Sequence, residues 1–284
     1  MTPNIHIDGS GSFSGGEYNQ VSVDGLGRCT EPFTCQTLTV DGSLSTAAVT
    51  ADALQIDGRL KTEGDLTARE TDIDGLVLVS GSMRTESLDV DGSLTVDGDL
   101  CAGPTRVDGH LKCRGAMTAA DFECDGMVSL ENGISAASID VDGILTVTGN
   151  IEAEHIESDG KISSTAQISA DTIRLCGMVK ADEIVGDSIE ICIEICHKSP
   201  VGIAARFLNS LFDSNLRDGT RNATLIEATT IRLEDVCAGV VSGEHVTIGP
   251  NCRIDRLDCT GDFTIDPSST VRLLNGEPYT PPAP

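Results

Sequence analysis

The dipeptide Asp-Gly recurs along the chain with near-constant spacing, beginning at Asp8, Asp24, Asp41, Asp57, Asp74, Asp91, Asp108, Asp125, Asp142 and Asp159. From Asp57 onward each step is 17 residues, and the earlier steps are 16, 17 and 16. A fixed period of this length marks a stacked repeat, in which no unit buries its apolar face alone and each covers its neighbour. The next slot, at Cys176, keeps its glycine (Gly177) without the aspartate.

Apolar columns run in the same register. Leu60, Val77, Leu94, Leu111, Val128, Leu145, Ile162 and Val179 share one slot. Thr62, Val79, Val96, Cys113, Leu130 and Val147 follow two residues later. Another pair of columns holds Leu66, Met83, Leu100, Met117, Ile134 and Ile151, then Ala68, Thr85, Ala102, Ala119, Ala136 and Ala153. A third pair, with Leu54, Leu88, Phe122 and Ile139 then Ile56, Val90, Val107 and Val141, precedes the Asp-Gly step. Spacing of two sets both members of a pair on one face of a short strand. Three such pairs per repeat predict an all-β fold, a three-sided parallel β-helix of about 17 residues per coil. Glycines between pairs, such as Gly58 and Gly64, are expected to turn the chain through positive φ. Composition agrees: Trp is absent and aromatics make up 3% of the chain, yet 39% is hydrophobic. That suits a thin core of Val, Ile, Leu and Ala rather than one built on large rings.

The register breaks after residues 189–196, where Ile189, Ile191, Ile193 and Ile195 alternate with polar residues and cysteines. Ser199-Pro200 reads as a helix start. Ile203, Phe207, Leu208, Leu211 and Phe212 then fit one face of a short amphipathic helix. This segment packs on the flank of the coils or docks a membrane surface or another subunit. Strand-like pairs return at Ile231/Leu233, Val246/Ile248, Leu257/Cys259 and Phe263/Ile265. The expected organisation is a main β-helix over 1–197, a helical insertion over 198–222, further coils over 223–274 and a disordered proline-rich tail over 275–284.

The Asp-Gly aspartates are read first as turn residues whose carboxylates accept backbone N–H bonds. A cation ladder is the alternative, although the nine-residue pattern of calcium-loaded β-rolls is absent. Cys192, Cys196 and His197 form a compact thiol–imidazole group, with Cys176 a coil away, but structural zinc usually shows two close cysteine pairs. No metal or other cofactor is expected. Cys113 and Cys124 occupy inward slots and read as small hydrophobes. His6, His110, His155 and His245 stand apart from any nucleophile motif, so no catalytic residue is assigned and the chain is not expected to be an enzyme. A formal charge of −26 argues against nucleic acid as a partner. The N-terminus lacks the basic and apolar regions of an export signal. With eleven cysteines, that points to reduced thiols in a cytoplasm. The stretch at residues 246–254 (VTIGPNCRI) resembles one hexapeptide element of acyltransferase β-helices, against a 17-residue period elsewhere.

The recurring unit seen at residues 90–102 (VDGSLTVDGDLCA) resembles the bactofilins, bacterial polymer-forming cytoskeletal proteins, over residues 40–185. Residues 231–271 look like the matching part of longer Gram-positive members. The resemblance implies a right-handed coil and end-to-end assembly into filaments without nucleotide. It also implies a scaffold role in cell shape, envelope organisation or motility. The partner it implies is the chain itself, through end coils carrying Ile5, Ile7, Phe263 and Ile265. Here coils begin almost at once, so membrane attachment would fall to residues 198–221. A protein-binding adaptor that does not polymerise, or a β-helix enzyme acting on polysaccharide or acyl groups, are the other classes.

Overall fold

A computed structural model describes residues 2–193 and 221–280 of the chain. Every regular element among them is a β-strand, and the chain divides into two compact units, Met1–Gly149 and Asn150–Pro284. Among the described residues no helix is long and apolar enough to cross a membrane.

The Met1–Gly149 unit is a parallel β-solenoid whose coils turn through three faces. The first face holds the strands that end at the Asp-Gly step, such as Glu70–Ile73, Ser87–Val90 and Asp121–Cys124. The second follows that step, as in Leu76–Val79, Ser93–Val96 and Met127–Leu130. The third is shorter, with two-residue strands such as Met83–Arg84 and Leu100–Cys101. Each strand pairs in parallel with the equivalent strand of the next coil. On the first face Val23, Val40, Ile56, Ile73, Val90, Val107, Cys124 and Val141 stack in register, all fully buried. On the second, Leu44, Leu60, Val77, Leu94, Leu111, Val128 and Leu145 do the same. Like side chains therefore lie about 4.8 Å apart and pack without large rings.

The expected inward columns are buried with one exception. Ala102, Ala119 and Ala136, just past the two-residue third strand, are half-exposed, whereas Ala68 and Thr85 in the same slot are buried. Threonine fits the same corner: Thr85 and Thr71 share a buried hydroxyl–hydroxyl bond of 2.9 Å, and Thr85 Oγ1 also donates to the Ser87 carbonyl at 2.7 Å.

The Asp-Gly corner corrects the expected role of its glycines. None of them has positive φ; the left-handed glycines are Gly16, Gly133, Gly149 and Gly276. The column is glycine because successive corners nearly touch. The amides of Asp74 and Gly75 both donate to the Ile56 carbonyl, at 3.0 and 2.8 Å, and Leu76 N–H donates to the Gly58 carbonyl at 2.8 Å. A Cβ on Gly42, Gly58, Gly75, Gly92, Gly109 or Gly126 would overlap the glycine carbonyl oxygen of the preceding coil. Gly9, in the first coil, is different: nothing lies within 4 Å of its Cβ position.

The Asn150–Pro284 unit is also a parallel solenoid, with longer strands: Gln167–Leu175, Met178–Cys192, Ala223–Glu234, Cys237–Ile248 and Arg253–Cys259. Met178–Cys192 pairs directly with Ala223–Glu234, Ile189 facing Ile231 and Ile191 facing Leu233. The coils therefore resume in register on the far side of residues 194–220. The amphipathic helix expected there, with Ile203, Phe207, Leu208, Leu211 and Phe212, lies outside the described residues. The tail differs from expectation over 275–280. Asn275 and Gly276 adopt left-handed conformations, and Glu277–Pro278 turns back to pair antiparallel with Leu273 and Leu274.

Candidate functional surfaces

Strand alternation decides what each face of the Met1–Gly149 unit shows to its surroundings. On the first face the outward slots and adjoining corner carry Asp57, Glu70, Asp72, Asp74, Asp89, Asp91, Asp108, Asp121, Glu123, Asp125, Asp140 and Asp142, all exposed. Arg106 interrupts them, bonding Glu123 and Asp125 at 2.8 Å each and Asp108 at 3.2 Å. The expected turn chemistry is not what the Asp-Gly carboxylates do. From Asp41 to Asp125 none of them accepts a backbone N–H. That task falls at another corner, where Asp65 receives the Ser82 amide at 2.8 Å and Asp99 the Ala116 amide at 2.9 Å.

The Asp-Gly carboxylates instead confront one another. Asp57 is held above the usual carboxylate range, first by hydrogen bonding with Asp41, then by lost hydration and by Asp74. Lost hydration, then the charges of Asp89 and Asp108, push up Asp91. Asp72 is raised by lost hydration and by Asp74 and Asp89. Asp125 rises by lost hydration and by Asp108, with Arg106 opposing. A carboxyl raised on folding binds more protons folded than unfolded, so its contribution to stability grows as pH falls and is lost as pH rises. Glu234 and Asp266 are lowered, by Arg232 and Ser268 respectively, and act in the opposite sense at lower pH. Thermal melts followed by circular dichroism are therefore expected to rise as pH falls from neutrality toward the ordinary carboxylate range, and to fall again at lower pH once Glu234 and Asp266 take up protons. The Asp57→Asn/Asp91→Asn variant should melt higher at pH 7 and flatten the rise. A melting temperature that drops steadily from pH 7 to 5 contradicts the ladder.

The second face is its opposite. One outward row reads Leu26, Ser43, Arg59, Leu76, Ser93, His110, Met127 and Ile144. The other reads Arg28, Ser45, Lys61, Leu78, Thr95, Lys112, Ser129 and Thr146, so neither contains an acid.

Of the expected thiol–imidazole group, Cys192 Sγ donates to Glu234 Oε2 at 3.4 Å, and Cys196 and His197 lie outside the described residues. Burial pushes the thiols of Cys35 and Cys124 up to about 12 and that of Cys113 up to about 11, which leaves them unreactive core groups. Sequence reasoning missed one cluster of ligand-type groups, His6, Asp8 and Asp24. It arises because the Asp-Gly register brings Asp24 beside the first coil. His6 Nε2 lies 2.6 Å from Asp8 Oδ1, within hydrogen-bond distance, and 3.8 Å from Asp24 Oδ2, so contacts within the cluster account for it. His245 Nδ1 is 2.5 Å from Asp262 Oδ1, while the Cys259 thiol on the same coil points inward to the carbonyls of Glu244 and Asp262.

The end-coil residues are placed on strands paired along one side. Asn4–Ile7, with Ile5 and Ile7, pairs with residues 20–23, and Ser10–Phe13 pairs with Leu26–Cys29. Phe13, Tyr18 and Phe33 meet edge to face near this end, with centroids 5.2 to 6.3 Å apart. In the other unit, Phe263–Ile265 pairs with residues 246–248, and Phe263 is 39% exposed.

No family profile matches the chain, and no solved structure matches it. Among curated proteins, a 49-residue stretch is 45% identical to the uncharacterized protein YhbE of Bacillus subtilis (strain 168). The match covers 17% of this chain and 21% of that protein.

Proposed function

We propose that this chain is a structural protein whose end coils stack on those of another copy, a nucleotide-free scaffold of the bactofilin kind. The observation that carries the reading is the one-sided pairing of Asn4–Ile7 and Ser10–Phe13. The carbonyls of Pro3 and Ile7 accept amides from Asn19 and Asp24, both at 2.9 Å. Alternate residues of a parallel strand bond to the same neighbour, so the N–H and C=O of Asn4 and His6 face the open edge. Such an edge is a template for another strand. On this reading the chain catalyses nothing, and its cellular role is to organise shape, envelope or motility components.

The adaptor that binds other proteins without polymerising is favoured by one observation, the fold-back of Glu277–Pro278 over Leu273 and Leu274. That segment covers part of the last strand, whereas nothing described covers Asn4–Ile7. Negative-stain microscopy and sedimentation of the purified chain test the two. Stacking predicts filaments or end-joined pairs that a His6→Pro variant loses while keeping its circular dichroism, since proline removes an outward N–H and is tolerated on edge strands. Single particles at every concentration, or assemblies indifferent to His6→Pro, refute stacking.

A further inference from the structure

The segregation of charge between two faces of the Met1–Gly149 unit goes beyond end stacking. The chain has 45 acidic residues against 19 basic ones, yet the outward rows of the second face carry no carboxylate. They do carry Arg28, Arg59 and Lys61, all exposed and without a carboxylate partner among the described residues. Ser43 and Ser45 lie between them on the intervening coil, Leu26 beside Arg28 is 63% exposed, and Met127 and Ile144 are adjacent exposed apolar residues further along. Lys112 is the exception, spanning 3.0 Å to Glu131 on the corner.

We propose that this face docks side by side on the acidic first face of a second copy, with Arg28, Arg59 and Lys61 against its carboxylate column. Spacing argues for a copy of the chain over other anionic partners. Arg28 and Lys61 stand two coils apart in one outward row, about 10 Å, twice the strand spacing of about 4.8 Å at which the first-face carboxylates repeat, so each cation meets a carboxylate. Docking also places cations among carboxylates that now repel one another. The net charge of −26 works against approach over long distances. At about 0.01 M salt that repulsion acts over roughly 30 Å, whereas near 0.15 M it is screened beyond about 8 Å and contact pairs persist. Pairing therefore peaks at intermediate salt and fades toward 1 M.

The test is analytical ultracentrifugation of the full chain carrying His6→Pro, so that end stacking is blocked and failure of one reading leaves the other intact. Pairs and longer side-by-side assemblies are expected at about 0.15 M salt, since each copy keeps both faces, and they are weakened at least tenfold near 0.01 M and near 1 M. Arg28→Glu/Arg59→Glu/Lys61→Glu should abolish them with an unchanged circular dichroism spectrum, as should Asp57→Lys/Asp74→Lys/Asp91→Lys. Mixing the two variants should restore pairs, because each retains the face that the other needs. Loss of pairing through misfolding would not be rescued by mixing. The inference is overturned if the His6→Pro chain stays single across this salt range, or if the charge-reversed variants pair as well as their parent. It is equally overturned if the arginine and lysine changes abolish binding to phosphatidylserine vesicles but leave copy-to-copy association unaltered.

Discussion

A Gly92→Ala variant is expected to lose about 3 kcal/mol of stability or more, the upper end of what overpacking costs, while Gly9→Ala in the same column loses almost nothing. The nearest neighbours of a Cβ at residue 92 are the carbonyl oxygen of Gly75 and the carbonyl group of Asp74, all backbone. No side chain can swing aside, so the two coils must separate. That disturbs the paired donation from Asp91 and Gly92 to the Ile73 carbonyl, at 3.0 and 2.8 Å. At Gly9 the same methyl meets open space at negative φ. There the smaller entropy of the unfolded alanine chain even favours folding by a few tenths of a kcal/mol, up to about 1. Urea titration of both variants by circular dichroism checks the contrast. Equal losses at the two sites would show that the column is glycine for some reason other than coil-to-coil approach.

The second large effect is expected at Leu94, fully buried between Val77 and Leu111 on the second face. Leu94→Ala should cost about 2–5 kcal/mol, the lost transfer energy plus the cavity that remains. Leu94→Lys should cost more, because an unpaired ammonium would replace a dry contact in a ladder with no polar partner to offer. Thr95 is the internal control, since its side chain leaves the same strand on the outer side. Thr95→Lys should change stability by no more than about 0.5 kcal/mol. If lysine were tolerated equally at 94 and 95, the interior of the solenoid would not exist as described.

Much of this architecture was legible because a period-two pattern nested in a period of 17 has few solutions. Leu94, Val96 and their equivalents name the inward face without any knowledge of the turns. What sequence could not supply was the third dimension of the corner. An Asp-Gly pair reads equally well as a left-handed turn and as a close approach between coils, and only the distances around Gly58 and Gly75 separate the two. The aspartates were misread for the same reason: their neighbours are other aspartates 16 or 17 residues away, not amides nearby in the chain. The alanine column was only partly inward: Ala68 and Thr85 are buried, whereas Ala102, Ala119 and Ala136 in the same slot are half-exposed, a difference that residue spacing does not reveal. The face pattern was present in the sequence throughout, but it needed the second-face slots to be lined up by register before the missing carboxylates stood out. The end-coil edges were likewise foreseeable from the repeat, whereas the return of Glu277–Pro278 followed no periodic signal.

Register also survives uneven spacing. Ala181 pairs with Ala223, yet Ala223 pairs with Ala238, and Ala238 with Ile254. What positions a coil is the strand beneath it, not the length of chain since the last turn.

Gly9 carries a consequence of its own. From Gly25 to Gly143 each glycine of its column is pressed by backbone of the coil before it, and Gly9 is bare with nothing pressing. On the proposed end stacking, that open space is where a second copy would settle. A methyl group there would leave the monomer intact and obstruct only the incoming copy, so Gly9→Ala would separate folding from assembly.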